Sequence, residues 1–425
     1  MMEGWKKDKF KNQIQNKSGY TWSKEQELKS KAINSVRVLT VSNIQTELDL
    51  SEELYLQNVS DKDKNEKIVN KDWCIAVSSN GNRKRIGNAV FIKNDMDYLF
   101  ASFLTALKPK DSSDILPEYF FRWLTSYNVQ ERISSVSEGT TGLGNLDMRY
   151  LRNIDINYPE SPTEQASIAN ILSSVDEAIE SVKKSIDAAE KLKKSLMQNL
   201  LTGRMKPDGT LRTEEEFYED EKFGKVPIGW EVKKLGNLFH IKAGGDLQEN
   251  FYSPIYDEQH KCPIFSNTIE NSGLYGYTSN PRFISKESLT IVGRGVGVGH
   301  VEYRKGNYDA IIRLISLIPK QEDAIDCMYV NYYICQYVHF AIESTGVPQL
   351  TCPKVFSTKI IIPKNVFEQS QIAEKIHCID IDIKIKQNQI ITLERLKKSL
   401  MQNLLTGKVR VGEELCLHNQ IRPII

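Results

Sequence analysis

Twelve residues, Leu192-Lys-Lys-Ser-Leu-Met-Gln-Asn-Leu-Leu-Thr-Gly203, recur without a change at Leu396 to Gly407, 204 positions further along the chain. A match this long and this perfect does not arise by chance. Either the chain is an internal duplication, or two of its segments are held to one structural job. A repeat with a period near half the chain predicts two half-molecules, each a globular part followed by a near-constant helix.

The residues leading into each copy support that division. Ser161-Pro-Thr-Glu164 has the pattern of a capping box, with Pro162 at the first helical position. Apolar residues follow at Ile168, Leu172, Val175, Ile179, Val182, Ile186 and Ala189, in alternating steps of four and three. This is a heptad seam, the signature of a helix that packs lengthwise on another. Leu192, Leu196 and Leu200 continue it after one shortened step, which predicts a local register shift. Thr202-Gly203 supplies the left-handed glycine expected at a helix end. The second seam runs through Ile372, Ile376, Ile379, Ile383, Lys386, Ile390 and Leu393, then Leu396, Leu400 and Leu404. Every position lies 204 after its partner, Asn365 and Glu368 take the cap positions, and only Lys386 interrupts the apolar series.

Outside the seams the composition changes. Ser35–Val41, Trp73–Val77, Asn88–Ile92 and Ile154–Tyr158 read as strands, and Pro117–Ser126 as a helix. In the second half Ser288–Val292 and the apolar run Ile311–Ile318 read as strands flanking the glycine-rich loop Gly293–Gly299, and Tyr329–Glu343 as an aromatic-rich helix. Trp230 to Phe239 echoes Trp5 to Ile14 in its Trp, Lys, apolar and Asn positions. The sequence thus predicts an α+β chain, with two globular mixed α/β domains joined and spaced by two long antiparallel coiled-coil helices. Its divisions fall at 1–160 (first domain), 161–203 (first helix), 204–226 (linker), 227–363 (second domain), 364–407 (second helix) and 408–425 (tail).

Composition narrows the chemistry. With 40% hydrophobic and 26% charged residues the chain has the profile of an ordinary globular protein. No stretch reaches the roughly 20 apolar residues of a membrane span, and the charged N-terminus lacks the apolar core of a secretion signal. Seven scattered cysteines with no Cys-x-x-Cys pair fit reduced thiols in a cytoplasmic setting, and neither they nor the six dispersed histidines suggest a metal site. Phosphate-loop, nucleophile-elbow, amino-methyltransferase and nuclease patterns are absent, so no catalytic residue is assigned. Gly293–Gly299 precedes a strand rather than a helix, which argues against a dinucleotide loop. The net charge of +1 is uninformative, because a basic surface can be balanced by acidic runs such as Glu214–Glu221.

Two domains carried on paired helices suit the reading of two DNA half-sites at a fixed separation. Loops with amide or guanidinium groups beside glycines are the ones able to reach base edges. In the first domain these are Asn82, Arg83, Lys84 and Arg85, with Thr140, Thr141 and Asn145. In the second they are Asn267, Arg294 and His300, with Thr345 and Gln349. Two other readings are a self-contained DNA-modifying enzyme and a coiled-coil adaptor for proteins.

The chain resembles the specificity subunit of type I restriction-modification systems over essentially its whole length. The carriers are Pro-x-Gly-Trp-x-x-x-x-Leu-Gly at Pro227–Gly236, the paired Glu-Gln-x-x-Ile-Ala at Glu164–Ala169 and Glu368–Ala373, and the two twelve-residue helix ends. The resemblance implies a non-catalytic DNA-binding subunit with two target-recognition domains, each reading half of a split target. It implies helices that dock two modification subunits carrying S-adenosylmethionine, and restriction subunits bringing ATP-driven translocation and Mg. No cofactor or metal is expected in this chain. The first domain lacks the Pro-x-Gly and Leu-Gly of the second, and the two domains barely match between their edges, which implies two different half-sites.

Overall fold

The computed structural model describes residues 3–137, 144–342 and 348–411. Both heptad segments are single helices, Pro162–Leu201 and Val366–Leu404. At 1.5 Å per residue each is about 60 Å long. The chain divides into two compact units: Met1–Lys183 with Asn388–Ile425, and Lys184–Gln387. Each unit therefore contains one globular domain, the first half of the helix that follows it, and the last half of the other helix.

In the first unit a strand at Trp5–Lys9 pairs antiparallel with Asp155–Pro159, in the register Trp5↔Pro159. A four-stranded sheet follows in the order Ile14–Ser18, Leu104–Pro109, Cys74–Val77, Ala89–Phe91. A second runs Glu27–Leu28, Leu54–Leu56, Val36–Leu39, Tyr98–Phe100, its last pair parallel. The second unit repeats this plan. Trp230–Lys234 pairs with Lys359–Pro363 in the register Trp230↔Pro363. One sheet runs Phe239–Ala243, Ile315–Pro319, Glu287–Ile291, Val301–Lys305; the other runs Tyr252–Ser253, Leu274–Thr278, Cys262–Phe265, Asp309–Ala310, again ending in a parallel pair. Two domains with little common sequence thus share one topology.

The repeated phrase closes each domain's core. In the second unit Met197, Leu200 and Leu201 are buried in one cluster with Trp230, Tyr329, Ile360, Ile372 and Ile376. In the first, Met401, Leu404 and Leu405 are buried with Trp5, Phe120, Ile156, Ile168 and Leu172. Leu200 and Leu201 are fully buried, a burial that stabilises by roughly 1.5–3 kcal/mol per side chain at most. Thr202 and Thr406 donate Oγ1 hydrogen bonds to the carbonyls of Gln198 and Gln402. Gly203 and Gly407 follow with φ of 69° and 74°. The identical residues perform one task twice.

The seam differs from its expected course at one place. Leu192 and Leu396 are 52% and 47% exposed. Lys193 and Lys397 turn inward instead, their ammonium groups 2.6 Å from Asp380 and from Asp176. With lysine counted at that position the alternation of four and three runs unbroken through each helix, so the register shift inferred from Leu192 does not occur. A paired charge at a seam position fixes alignment, at some cost in stability. Each unit shows the helix segments antiparallel: Arg410 and Lys397 meet Glu164 and Asp176 in the first, and Arg212 and Lys193 meet Glu368 and Asp380 in the second.

The caps also differ in their acidic half. Ser161 Oγ accepts from the Glu164 amide at 3.3 Å, as the capping pattern requires. The Glu164 carboxylate, buried, instead accepts two bonds from the Arg410 guanidinium at 2.7 and 2.8 Å. Asn365 Oδ1 accepts from the Phe367 amide, while Glu368 accepts from Arg212 and from Trp230 Nε1. A charged, geometrically matched donor outcompetes a single backbone amide for a carboxylate. Other boundaries shift as well. The helix expected at 329–343 spans Cys327–Tyr337, residues 343–347 lying outside the described ones. The stretch 204–226 contains an ordered hairpin, Phe217–Asp220 with Gly224–Pro227. The strand expected over Ile311–Ile318 begins only at Ile315, because Ile312 and Arg313 have left-handed backbones.

Candidate nucleic-acid interface

In the first domain the chain leaves the buried strand Cys74–Val77 and forms a short ladder with the segment that precedes the last small helix. Asn145 faces Ser79 and Gly144 faces Asn80, and the Leu146 amide donates to the Ser78 carbonyl at 2.8 Å. A single 3-10 turn, Arg83–Arg85, follows, capped by Asn82 Oδ1 accepting from the Lys84 amide at 3.1 Å. The ladder lies close to this turn: a Cβ at 144 would sit 2.5 Å from Ile86 Cδ1 and 3.1 Å from Arg83 Cγ, so a larger residue there would have to displace Ile86. Asn82, Arg83, Lys84 and Asn145 are consequently exposed side chains on one loop pair. Arg85 is different. Its guanidinium donates to the carbonyls of Val41 and Ile44 at 2.9 and 2.7 Å, which ties the loop to the next turn.

The second domain builds the same device from other residues. The Leu350 amide donates to the Gly293 carbonyl at 2.8 Å, and Gln349 bridges Arg294. Leu350 and Gln349 stand 204 positions after Leu146 and Asn145, so the two amide side chains occupy equivalent places. Gly295, Gly297 and Gly299 have φ of 86°, 84° and 90°, a run of left-handed residues that side chains would strain. They let residues 292–300 close a tight loop between the antiparallel strands Glu287–Ile291 and Val301–Lys305, in place of a phosphate-binding βα turn. Asn267 braces this loop: its Oδ1 accepts from the Gly293 amide at 2.8 Å and its Nδ2 donates to the Arg294 carbonyl. His300 Nε2 lies 3.0 Å from Glu302 Oε1. Arg294 and His300 are exposed.

The structure therefore gathers Asn82, Arg83, Lys84 and Asn145 in one unit, and Arg294, His300 and Gln349 in the other. It gives Arg85 and Asn267 internal partners. Thr140, Thr141 and Thr345 lie outside the described residues. Reasoning from sequence passed over the exposed tip at Ile312–Arg313, whose apolar neighbours resemble a strand. Among the described residues no group of three or more His, Cys, Asp and Glu side chains is placed to hold a metal ion, and no helix is long and apolar enough to cross a membrane.

Comparison with known proteins bears on the same features. The type I restriction modification DNA specificity domain matches twice, over residues 2–191 and 227–395. The type I restriction enzyme MjaIX specificity subunit of Methanocaldococcus jannaschii is 26% identical over 327 residues, covering 72% of this chain and 71% of its own. The MjaVIII specificity subunit of the same organism is 26% identical over 332 residues, covering 72% and 74%. In fold, the chain is similar to a crystal structure of the type I restriction-modification system S subunit from M. genitalium. That similarity has a TM-score of 0.60 at 16% identity and covers 94% of this chain and 96% of the other. Two family matches, one on each domain with its helix, make this chain a member of the type I restriction-modification DNA specificity family, whose members are recognition subunits rather than enzymes.

Proposed function

We propose that the chain reads a bipartite, asymmetric DNA target within a cytoplasmic type I restriction-modification complex. Each domain reads one half-site, and the helices scaffold two modification subunits and the restriction subunits. The observation that carries this reading is the equivalent loop pair in the two units. Asn145 beside Asn82–Lys84 and Gln349 beside Arg294 occupy matched backbone positions but present different side chains, as two readers of different half-sites require. Guanidinium groups reach guanine and carboxamides reach adenine in the major groove, while neighbouring cations contact phosphate. Exposed Arg83, Lys84, Asn82, Asn145, Arg294 and His300, with half-buried Gln349, are the contacting set. Arg85 and Asn267 hold the loops in shape. S-adenosylmethionine, ATP and Mg belong to the partner subunits.

The test is methylation by the purified chain with and without its modification subunits, on unmethylated genomic DNA with S-adenosylmethionine. The expected result is adenine methylation at one split motif with the subunits present, and none with the chain alone. Methyl transfer by the chain alone would show a self-contained enzyme. Failure of the complex to bind duplex, or binding insensitive to salt, would instead support a protein adaptor, since phosphate contacts impose a steep salt dependence.

A further inference from the structure

Ile312 and Arg313 have φ of 53° and 62°. For a β-branched residue this is a backbone outlier, which glycine or asparagine would relieve. Burial offers no compensation: Ile312 is 60% exposed, and Arg313 is exposed as well. The residues on either side, Ile311 and Leu314, are each 1% exposed and anchor the tip. Main-chain bonds clamp it: Ile311 N to Phe265 O at 2.9 Å, Ile312 N to Gly245 O at 3.1 Å, and Leu314 N to Ile311 O at 3.2 Å. Two side chains are thus held rigidly in solvent.

Their location is the foot of the glycine loop. A Cβ on Gly293 would lie 2.5 Å from the Arg313 carbonyl oxygen, so the tip abuts the residue that precedes Arg294. The first unit carries a tip held by the same bonds, although neither Ser102 nor Phe103 has a positive φ. Ala101 N donates to Leu39 O, Ser102 N to Tyr20 O, and Leu104 N to Ala101 O, at 2.8, 2.8 and 2.9 Å, matching the three bonds above one for one. There the Phe103 carbonyl accepts from the amides of Ser78 and Ser79, at the foot of the first domain's loop. Phe103 is 52% exposed. The two tips lie 210 positions apart rather than 204, so the repeat period hides them. One set of clamping bonds presents Ser-Phe in the first domain and, on a left-handed turn, Ile-Arg in the second.

We propose that this tip is a second base-reading element in each domain. The inference rests on the DNA-recognition reading above. Arg313 supplies guanidinium donors to a guanine edge and Ile312 an apolar contact to a thymine methyl, while Phe103 supplies the apolar contact in the first domain. Clamped presentation, strained as well in the second domain, suits recognition, because the ordering cost is met before the ligand arrives.

The test uses the chain assembled with its modification subunits and selection from a duplex library randomised across both half-sites. Arg313→Ala is expected to lower affinity roughly tenfold and relax preference at one base pair of the second half-site, leaving the first unchanged. Phe103→Ala is expected to do the converse. Ile312→Gly is expected to retain or raise the melting temperature while relaxing the second half-site, which separates lost contact from lost fold. Unchanged affinity and preference in all three variants, with Arg294→Ala still altering the second half-site, would overturn the tip and leave the recognition reading standing. Uniform weakening across sequences with a shallower salt dependence would also overturn it, by making Arg313 a phosphate anchor. No sequence preference in the unmodified complex would overturn the recognition reading and the tip with it.

Discussion

Replacing Gly203 by alanine tests how the repeated phrase is seated. Gly203 has φ of 69°, and a Cβ there would fall 2.3 Å from Pro227 Cγ and 3.2 Å from the Trp230 ring. Gly209 and Gly229, with φ of 92° and 94°, have open space around the same atom and serve as internal controls. Alanine in the left-handed region costs about 1–2 kcal/mol, offset by about 0.4–1 kcal/mol from the restricted unfolded chain, for a net cost near ~1 kcal/mol at the control sites. Gly203→Ala adds the overpacking of a methyl against the proline and tryptophan, roughly 1–3 kcal/mol, for a total of roughly 2–4 kcal/mol. In a unit of this size each kcal/mol lowers the melting temperature by about 2–4 °C, so the control variants should shift by a few degrees and Gly203→Ala by roughly 5–15 °C. Calorimetry of the full chain, following the transition that contains the second unit, reads both. Equal shifts at all three positions would refute the claim that the helix end is seated against Pro227 and Trp230.

Arg410→Ala leaves the Glu164 carboxylate, 6% exposed, without its guanidinium. Because the arginine side chain itself is 47% exposed, the loss should be about 1–2 kcal/mol by urea denaturation rather than the full cost of a buried pair; no measurable loss would show the pair to be ornamental. The backbone amide and ring of His260 hold the Asp257 carboxyl down to about 2. Because the folded value is the lower one, its contribution is complete above the ordinary aspartate range, near pH 4, and is lost as pH falls through about 2. An NMR titration of Asp257 should show that depressed midpoint, and a midpoint near 3.8 would contradict the turn geometry. Four residues inserted between Val175 and Glu190 rotate the following seam by about 40° and lengthen the helix by about 6 Å. The insertion should change the unread gap in the target or abolish binding, and an unaltered gap would remove the helix from any role in setting it.

Much of this architecture is legible in the sequence because helices are written locally. Heptads, the proline and serine at the first cap, and the terminal Thr-Gly all act within a turn or two of themselves, and each fell where expected. Partners distant in sequence are not legible in this way. Glu164 has the spacing of a capping box, but its strongest donor is Arg410, at the far end of the chain. Lys193 fails an apolar filter although geometry puts it in the seam, because its charge is met by Asp380 on the other helix. The common topology of the two domains is not legible in their residues read side by side, since sheet order depends on non-local pairing that many sequences satisfy. Ile312–Arg313 lies in a β-branched run that favours a strand, and only the clamped backbone overrides that preference. The glycine-rich loop was recognised as a strand connection because no helix pattern follows it. Which loop side chains point outward, however, depends on the bonds of Asn267 in the second domain and of Arg85 in the first.

The central claim is that each domain reads its own half-site. Its most direct test is replacement of residues 204–363 by the corresponding segment of another family member, followed by sequencing of methylated adenines in cells expressing the hybrid with the modification subunits. The account predicts a new split motif in which one half is replaced and the other half is retained unchanged. A motif altered in both halves, or altered in neither, would contradict it.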